Sequence, residues 1–247
     1  MASDIVVPYL EHLFDGCLAF SYHPDVFKKA VTIMLLKPGP RKGDVPKDLR
    51  PISLLSSLGK ILEKIVANRL RELCEKHRIL PDEQFGAAGR CITSAQQFLL
   101  NHVYRNWLLG RQVTLLCLDM AAAFDKVPRA RILEVLAAKG IPAWIIQFVR
   151  SFLSHRSTYF KLPGYTSGRF WINVGVPQGS PLSPILFMIL AGPLLEELKR
   201  EAASRSSTGE TVSFAFADDV ALVVASPNGK TNCWLMEKFH ERILAWA

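Results

Sequence analysis

Two adjacent carboxylates, Asp218 and Asp219, interrupt an otherwise apolar run from Phe214 to Val224. The flanks are short, apolar and β-prone, so the run predicts a β-hairpin with the polar pair in its turn. Like charges held that close raise the free energy of the fold unless a cation neutralises them. Asp is also a favoured turn residue, because its side chain bonds its own backbone. Taken alone, the pair reads as an ordinary turn more often than as a metal site.

A third acid changes the balance. Asp119 ends the apolar run Val113 to Leu118. Carboxylates at the ends of neighbouring buried strands are what a divalent metal site on a sheet needs, since hard cations prefer oxygen ligands.

Composition narrows the class. Hydrophobic residues make up 49% of the 247-residue chain, enough for a packed core. The 30 Lys and Arg outweigh the 22 Asp and Glu, for a net charge of +8. A basic chain that gathers acids at one place points to a polyanionic partner, nucleic acid above all, although charge alone fits an anionic membrane surface as well. The five cysteines are scattered and none forms a Cys-x-x-Cys pair, which disfavours zinc and a disulfide framework. With no basic and apolar leader at the N-terminus, the expected setting is intracellular, nucleus or cytoplasm. The apolar run Pro184 to Leu195 is too short to span a bilayer and meets Glu196 and Glu197 at once, so no membrane is expected.

Along the chain, residues 1–30 read as helical and Val31 to Lys37 as a strand. Lys37 to Gly43 is a basic, Gly/Pro-rich loop: a solvated connector or a flexible cationic finger for phosphates. Leu58, Ile61, Leu62, Ile65, Val66, Leu70 and Leu73 recur at helical spacing, with Lys60, Glu63, Lys64, Asn68, Arg69 and Arg71 on the other face and Ser56 or Ser57 as cap. Further helices are expected over 94–109, from Pro128 to Gly140, over 143–155, from Pro184, and over 230–247. Cys117 reads as a small core residue. Residues 157–162 and 169–174 predict a hairpin around Pro163 and Gly164. Helices interleaved with antiparallel strands predict an α+β fold.

Three segments then line up with a known pattern. Leu118 to Asp125, Val176 to Ser183 with its Pro177-Gln178-Gly179-Ser180 core, and Phe216-Ala217-Asp218-Asp219 resemble, in this order, the palm motifs of the reverse transcriptase family. The non-LTR (LINE-like) retrotransposon type is the most similar, and group II intron enzymes are more distant. Leu36 to Gly39, Leu49 to Leu55 and Gly59 to Lys64 resemble its fingers motifs. The resemblance runs from about residue 30 to the end.

The resemblance implies a right-hand polymerase with fingers and N-terminal helices over 1–110 and an antiparallel palm sheet over 111–247, interleaved as one domain and ending before a thumb. It implies an RNA-directed DNA polymerase that extends a DNA primer on an RNA template with dNTPs. Asp119, Asp218 and Asp219 become the ligands of two Mg²⁺ ions, with Mn²⁺ as alternative, held about 4 Å apart for in-line displacement at phosphorus. Lys37 and Arg50 match triphosphate-binding residues, and Gln178 and Gly179 match contacts to nucleotide and template. Phe124 matches the ring that excludes a ribose 2′-hydroxyl. Lys42, Arg69 and Arg71 are expected on nucleic-acid phosphates. Read without the resemblance, Arg50 is a surface salt-bridge partner, and Phe124 also fits a core aromatic.

The chain also departs from the pattern. Gln84 to Arg90 lacks the usual aromatic after its glycine, Phe216 replaces the usual tyrosine, and Trp246-Ala247 precede the family's lysine motif, primer grip and thumb. An inactive truncated remnant that only binds nucleic acid is therefore the alternative expectation.

Overall fold

A computed structural model describes residues 2–39, 45, 48–87, 89–120 and 123–246. The chain divides into two compact units, each discontinuous in sequence: residues 1–72 with 124–185, and residues 73–123 with 186–247.

The second unit is built on a three-stranded antiparallel sheet in the order β3 (Gln112–Asp119), β9 (Asp219–Ser226), β8 (Glu210–Phe216). Its strands are rich in Val, Leu and Phe, which suit a pleated, half-buried surface. Side chains alternate between faces. On one face Phe214 and Val223 meet Phe85, Ala95 and Phe98, the last two from α3 (Ile92–Leu108). The rings of Phe85, Phe98 and Phe214 lie 5.5–5.9 Å apart, centroid to centroid. On the other face Leu222 and Val224 pack with Leu194 and Leu198 of α6 (Ser183–Ser204) and with Leu235, Phe239 and Ile243 of α7 (Gly229–Trp246). Fully burying one such side chain stabilises by about 1.5–3 kcal/mol. Buried Asn232 of α7 fixes that packing by donating to the Gln112 carbonyl (2.9 Å) and the Thr114 hydroxyl (3.0 Å). Thus α3, which a cut at residue 110 assigns to the fingers, covers the sheet that begins at Gln112.

The first unit holds α1 (Ala2–Ala19), the β1 (Val31–Leu36) and β2 (Leu49–Leu54) pair, most of α2 (Ser57–Lys76), α4 (Arg129–Ala138) and α5 (Ala143–Leu153). The Ser56 hydroxyl accepts from the Gly59 N–H at 3.3 Å, the cap expected for α2. Leu62, Val66 and Leu70 are fully buried, but Leu58 and Ile61 of the same predicted stripe are 39% and 47% exposed. Glu63, read as a solvent-facing residue, has no exposure at all. It meets the equally buried His23 ring at 3.2 Å, so a partner from a distant segment draws it inward, which helical spacing does not encode.

The hairpin expected around Pro163 and Gly164 is split in two. β5 (Phe160–Leu162) turns back into β6 (Tyr165–Thr166) and runs parallel to β1, whereas β4 (Arg156–Thr158) pairs with β7 (Phe170–Ile172) as a separate ribbon. Cys117 is exposed rather than buried, on the sheet face that it shares with Asp119. No helix among the described residues is long and apolar enough to cross a membrane.

Candidate active site

The acidic hairpin forms as the sequence predicts, with one shift. Phe216 pairs with Asp219, so the two-residue turn is Ala217-Asp218 and Asp219 already begins β9. Across the other ladder Asp219 is paired directly with Asp119, the last residue of β3. Both are exposed at the end of the sheet, with Asp218 half-buried in the turn beside them. Burial first, and then the Asp218 and Asp119 carboxylates, push the Asp219 carboxyl above the ordinary carboxylate range. The three acids therefore sense one another, and Asp119 stands directly opposite Asp219 rather than Asp218.

Ala217 has φ +56°, a left-handed conformation that costs a non-glycine residue roughly 1–2 kcal/mol. Gln84, fully buried, holds it there. Its Oε1 accepts from the Ala217 N–H (3.1 Å) and the Gly86 N–H (3.0 Å), and its Nε2 donates to the Ala217 carbonyl (3.3 Å). The Phe85 N–H donates to Ala215 and the Ala215 N–H to Glu83, which adds this segment to the edge of β8. Gln84 was legible only as part of a loop motif. Its partner lies 133 residues away.

The divalent-ion expectation has its own test in these groups. Among the described residues no three His, Cys, Asp or Glu side chains are grouped as a ready metal cage. Magnesium at phosphoryl-transfer sites is held by one or two carboxylates together with substrate phosphates. Two facing carboxylates and a third in the adjoining turn fit that kind of site, and a cation offsets their repulsion.

The remaining site residues lie in the first unit. Arg50 pairs with Leu35 in the β1–β2 ladder, and the Lys37 N–H donates to the Asp48 carbonyl one step further along. Alternation then puts Lys37 and Arg50 on one face of the ribbon as diagonal neighbours. Lys42 lies outside the described residues.

Phe124 is half-buried, and its carbonyl accepts from the Val176 N–H at 2.7 Å. Gly175 makes this contact feasible. Its φ is +76°, and a Cβ there would collide with the Asp125 carbonyl and lie 2.7 Å from that of Phe124. Arg129 straps the same place, donating from Nε to the Gly175 carbonyl (2.9 Å) and from Nη2 to that of Val174 (3.2 Å). Gln178 donates to Asp125 Oδ2 at 3.1 Å. Burial raises the Asp125 carboxyl above its usual range and the Gln178 bond opposes that rise. Gly179, at φ +109°, leaves room for the Ser53 carbonyl, 3.0 Å from where a Cβ would stand. The structure thus gathers Phe124, Gln178 and Gly179 into one strapped segment. Asp125 and Gly175 flank motif residues directly, which was the available signal for them.

Arg71 donates to Asn68 Oδ1 (3.1 Å) and to the Pro181 carbonyl (3.3 Å), tying α2 to the loop after Gly179. Arg69 is exposed, its guanidinium 5.6 Å from the centre of the Trp144 ring.

The family described as Reverse transcriptase (RNA-dependent DNA polymerase) matches residues 36–247. A probable RNA-directed DNA polymerase from transposon BS of Drosophila melanogaster is 29% identical over 96% of this chain and 26% of its own length. The RNA-directed DNA polymerase from the mobile element jockey of Drosophila funebris is 32% identical over 90% of this chain and 24% of its own. The chain thus spans about a quarter of the length of these curated relatives. Among solved structures, apo telomerase from Candida tropicalis, truncated from its C-terminal domain, superposes with a TM-score of 0.58. The identity is 14%, over 86% of this chain and 46% of that one. That likeness carries the fold, which is the right-hand polymerase architecture, of mixed helix and sheet. With the acidic hairpin, the Gln178 loop and the family match spanning all but the first 35 residues, the chain belongs to the reverse transcriptase family, in its non-LTR retrotransposon type.

Proposed function

We propose that this chain is the fingers and palm portion of an RNA-directed DNA polymerase that adds dNTPs to a primer 3′-end on an RNA template. The β1–β2 pair serves as fingers, and the three-stranded sheet with its acids as palm. The observation that carries this reading is the direct pairing of Asp119 with Asp219, beside Asp218, at the open end of the sheet.

Asp119, Asp218 and Asp219 would hold two Mg²⁺ ions. Such ions, when bound, supply charge stabilisation to the attacking 3′-oxygen and the leaving pyrophosphate. The protein's own part is positioning and electrostatics. Lys37 and Arg50 present two cations on one ribbon face to the triphosphate. Phe124, fixed by its carbonyl bond to Val176, excludes a ribose 2′-hydroxyl by bulk. Gln178 and Gly179 contact the nucleotide and template, with the Asp125 bond setting the Gln178 rotamer. Arg69 and Lys42 neutralise backbone phosphates, and Arg71 secures the Pro181 loop.

Single-nucleotide incorporation by the 247-residue chain on an RNA template with a DNA primer tests this reading. The expected result is Mg²⁺-dependent addition that Asp218→Ala abolishes while primer–template affinity stays unchanged. Salt-dependent binding of nucleic acid with no incorporation under any divalent ion would instead mark a non-catalytic binding remnant.

A further inference from the structure

We propose that the second unit carries a peptide-docking site: the open edge of β8, where a cavity of about 290 Å³ lies, takes an uncharged extended segment of another protein as an added strand. That volume is at the lower end of the roughly 300–1,000 Å³ of ligand pockets.

β8 is the last strand of its sheet, and its far edge is only partly closed. The Glu83–Phe85 segment pairs there with Ala215 alone. The Ala215 N–H donates to the Glu83 carbonyl at 2.9 Å, and its carbonyl accepts from the Phe85 N–H at 2.7 Å. Both backbone groups of Ala215 therefore face away from β9. Direction alternates along an antiparallel strand, so the N–H and C=O of Ser213 and Thr211 face the same open edge, while those of Val212 and Phe214 serve β9. The upstream segment turns off before it reaches them, because the Gln84 N–H bonds back to the Pro81 carbonyl. Among the described residues no other segment pairs with this edge.

The cavity lies where that pairing stops. Thr211 and Ser213 line it, with Ala202, Ala203 and Ser206 from the α6 side and Phe98 from α3. An added strand bonds through its backbone and sends alternate side chains to opposite faces. Residues opposite Thr211 and Ser213 would meet the small side chains on the α6 side. The residue opposite Val212 would meet Phe98, against which Val212 already packs.

The two carboxylates of the wall are already paired. Glu83 Oε1 lies 2.6 Å from Lys199 Nζ, and Glu210 lies 3.3 Å from both Arg105 and Arg111. The cavity asks no charge of its occupant. What the edge lacks is a neutral group that donates and accepts at a two-residue repeat, and an extended peptide backbone is that group.

Titration calorimetry of the full chain with the capped peptide acetyl-Lys-Thr-Val-Thr-Val-Thr-Lys-amide tests the proposal, the lysines keeping the probe monomeric. Two further peptides carry one N-methyl group each, on the central threonine or on the valine that follows it. Neighbouring nitrogens of a strand face opposite edges, so one methylation should weaken binding at least tenfold and the other less than twofold. Ala203→Trp, which fills the cavity from an exposed position on α6, should abolish binding with the circular dichroism spectrum unchanged. No saturable binding at millimolar peptide, equal effects of the two methylations, or binding indifferent to Ala203→Trp would overturn the assignment. So would self-association of the chain in sedimentation that Ala203→Trp abolishes, since the edge would then belong to a second copy.

Discussion

Asp119, the last residue of β3, lies directly opposite Asp219, the first residue of β9. Like charges directly across an antiparallel pair destabilise a sheet by roughly 0.2–1 kcal/mol. Here the repulsion is placed where the sheet ends and solvent begins, so it is tolerated, and the cation proposed above would offset it.

Asp119→Asn should therefore leave the fold as stable or slightly more stable, by a fraction of 1 kcal/mol, while losing Mg²⁺-dependent activity. Mg²⁺ should raise the melting temperature of the wild type by mass action and have no such effect on the variant. An Asp119→Asn protein that melts several degrees lower and keeps its Mg²⁺ response would show that the pair is structural.

Gln84 is a positioning residue for the acidic turn. Gln84→Ala removes three hydrogen bonds to Ala217 and Gly86 and leaves buried backbone groups unpaired, at a cost of about 1–3 kcal/mol each where water cannot enter. Urea unfolding should report that loss. Turnover should fall through kcat with little change in KM for dNTP, since the acids move and the proposed nucleotide contacts do not. A fall in stability with kcat intact would reduce Gln84 to scaffolding.

Gly175→Ala forces a side chain into a left-handed conformation and into the Phe124–Asp125 backbone. The penalty should exceed the roughly 1–3 kcal/mol of backbone strain alone. Gly168→Ala, with open space around it, is the matched control and should be near neutral. Equal melting temperatures for the two variants would contradict the close approach of Gly175 to the Phe124–Asp125 backbone.

Stability should fall on mild acidification. Burial lowers the His23 imidazole below its usual value near 6.5, against the opposing pull of Glu63. Above that pH both folded and unfolded states are neutral at His23. As the pH falls through it, the unfolded chain takes up a proton that the folded one refuses. Unfolding is then favoured by up to about 1.4 kcal/mol per pH unit for each such group. His102, also lowered chiefly by burial, acts with the same sign. The urea midpoint should drop between pH 7.5 and 5.5, and the His23 ring resonance should titrate below 6.5 in the folded protein. A midpoint that rises over this interval would reverse the assignment.

The family and the three acids were legible in the residues themselves. An apolar run closed by Asp119 and one broken by Asp218-Asp219 leave few arrangements other than strand ends, because charge is expelled from a core while β-prone residues enter it. The α2 cap and the helix spans followed from local spacing for the same reason: their causes lie within a few residues. What needed the tertiary structure was every feature whose cause is distant. The direct partner of Asp119 is Asp219 because strand register, not sequence order, decides who faces whom. Gln84 grips a turn 133 residues away, Glu63 turns inward to His23, and the predicted hairpin splits because β5 finds β1. Such contacts form only when separate segments meet, and no local propensity records them.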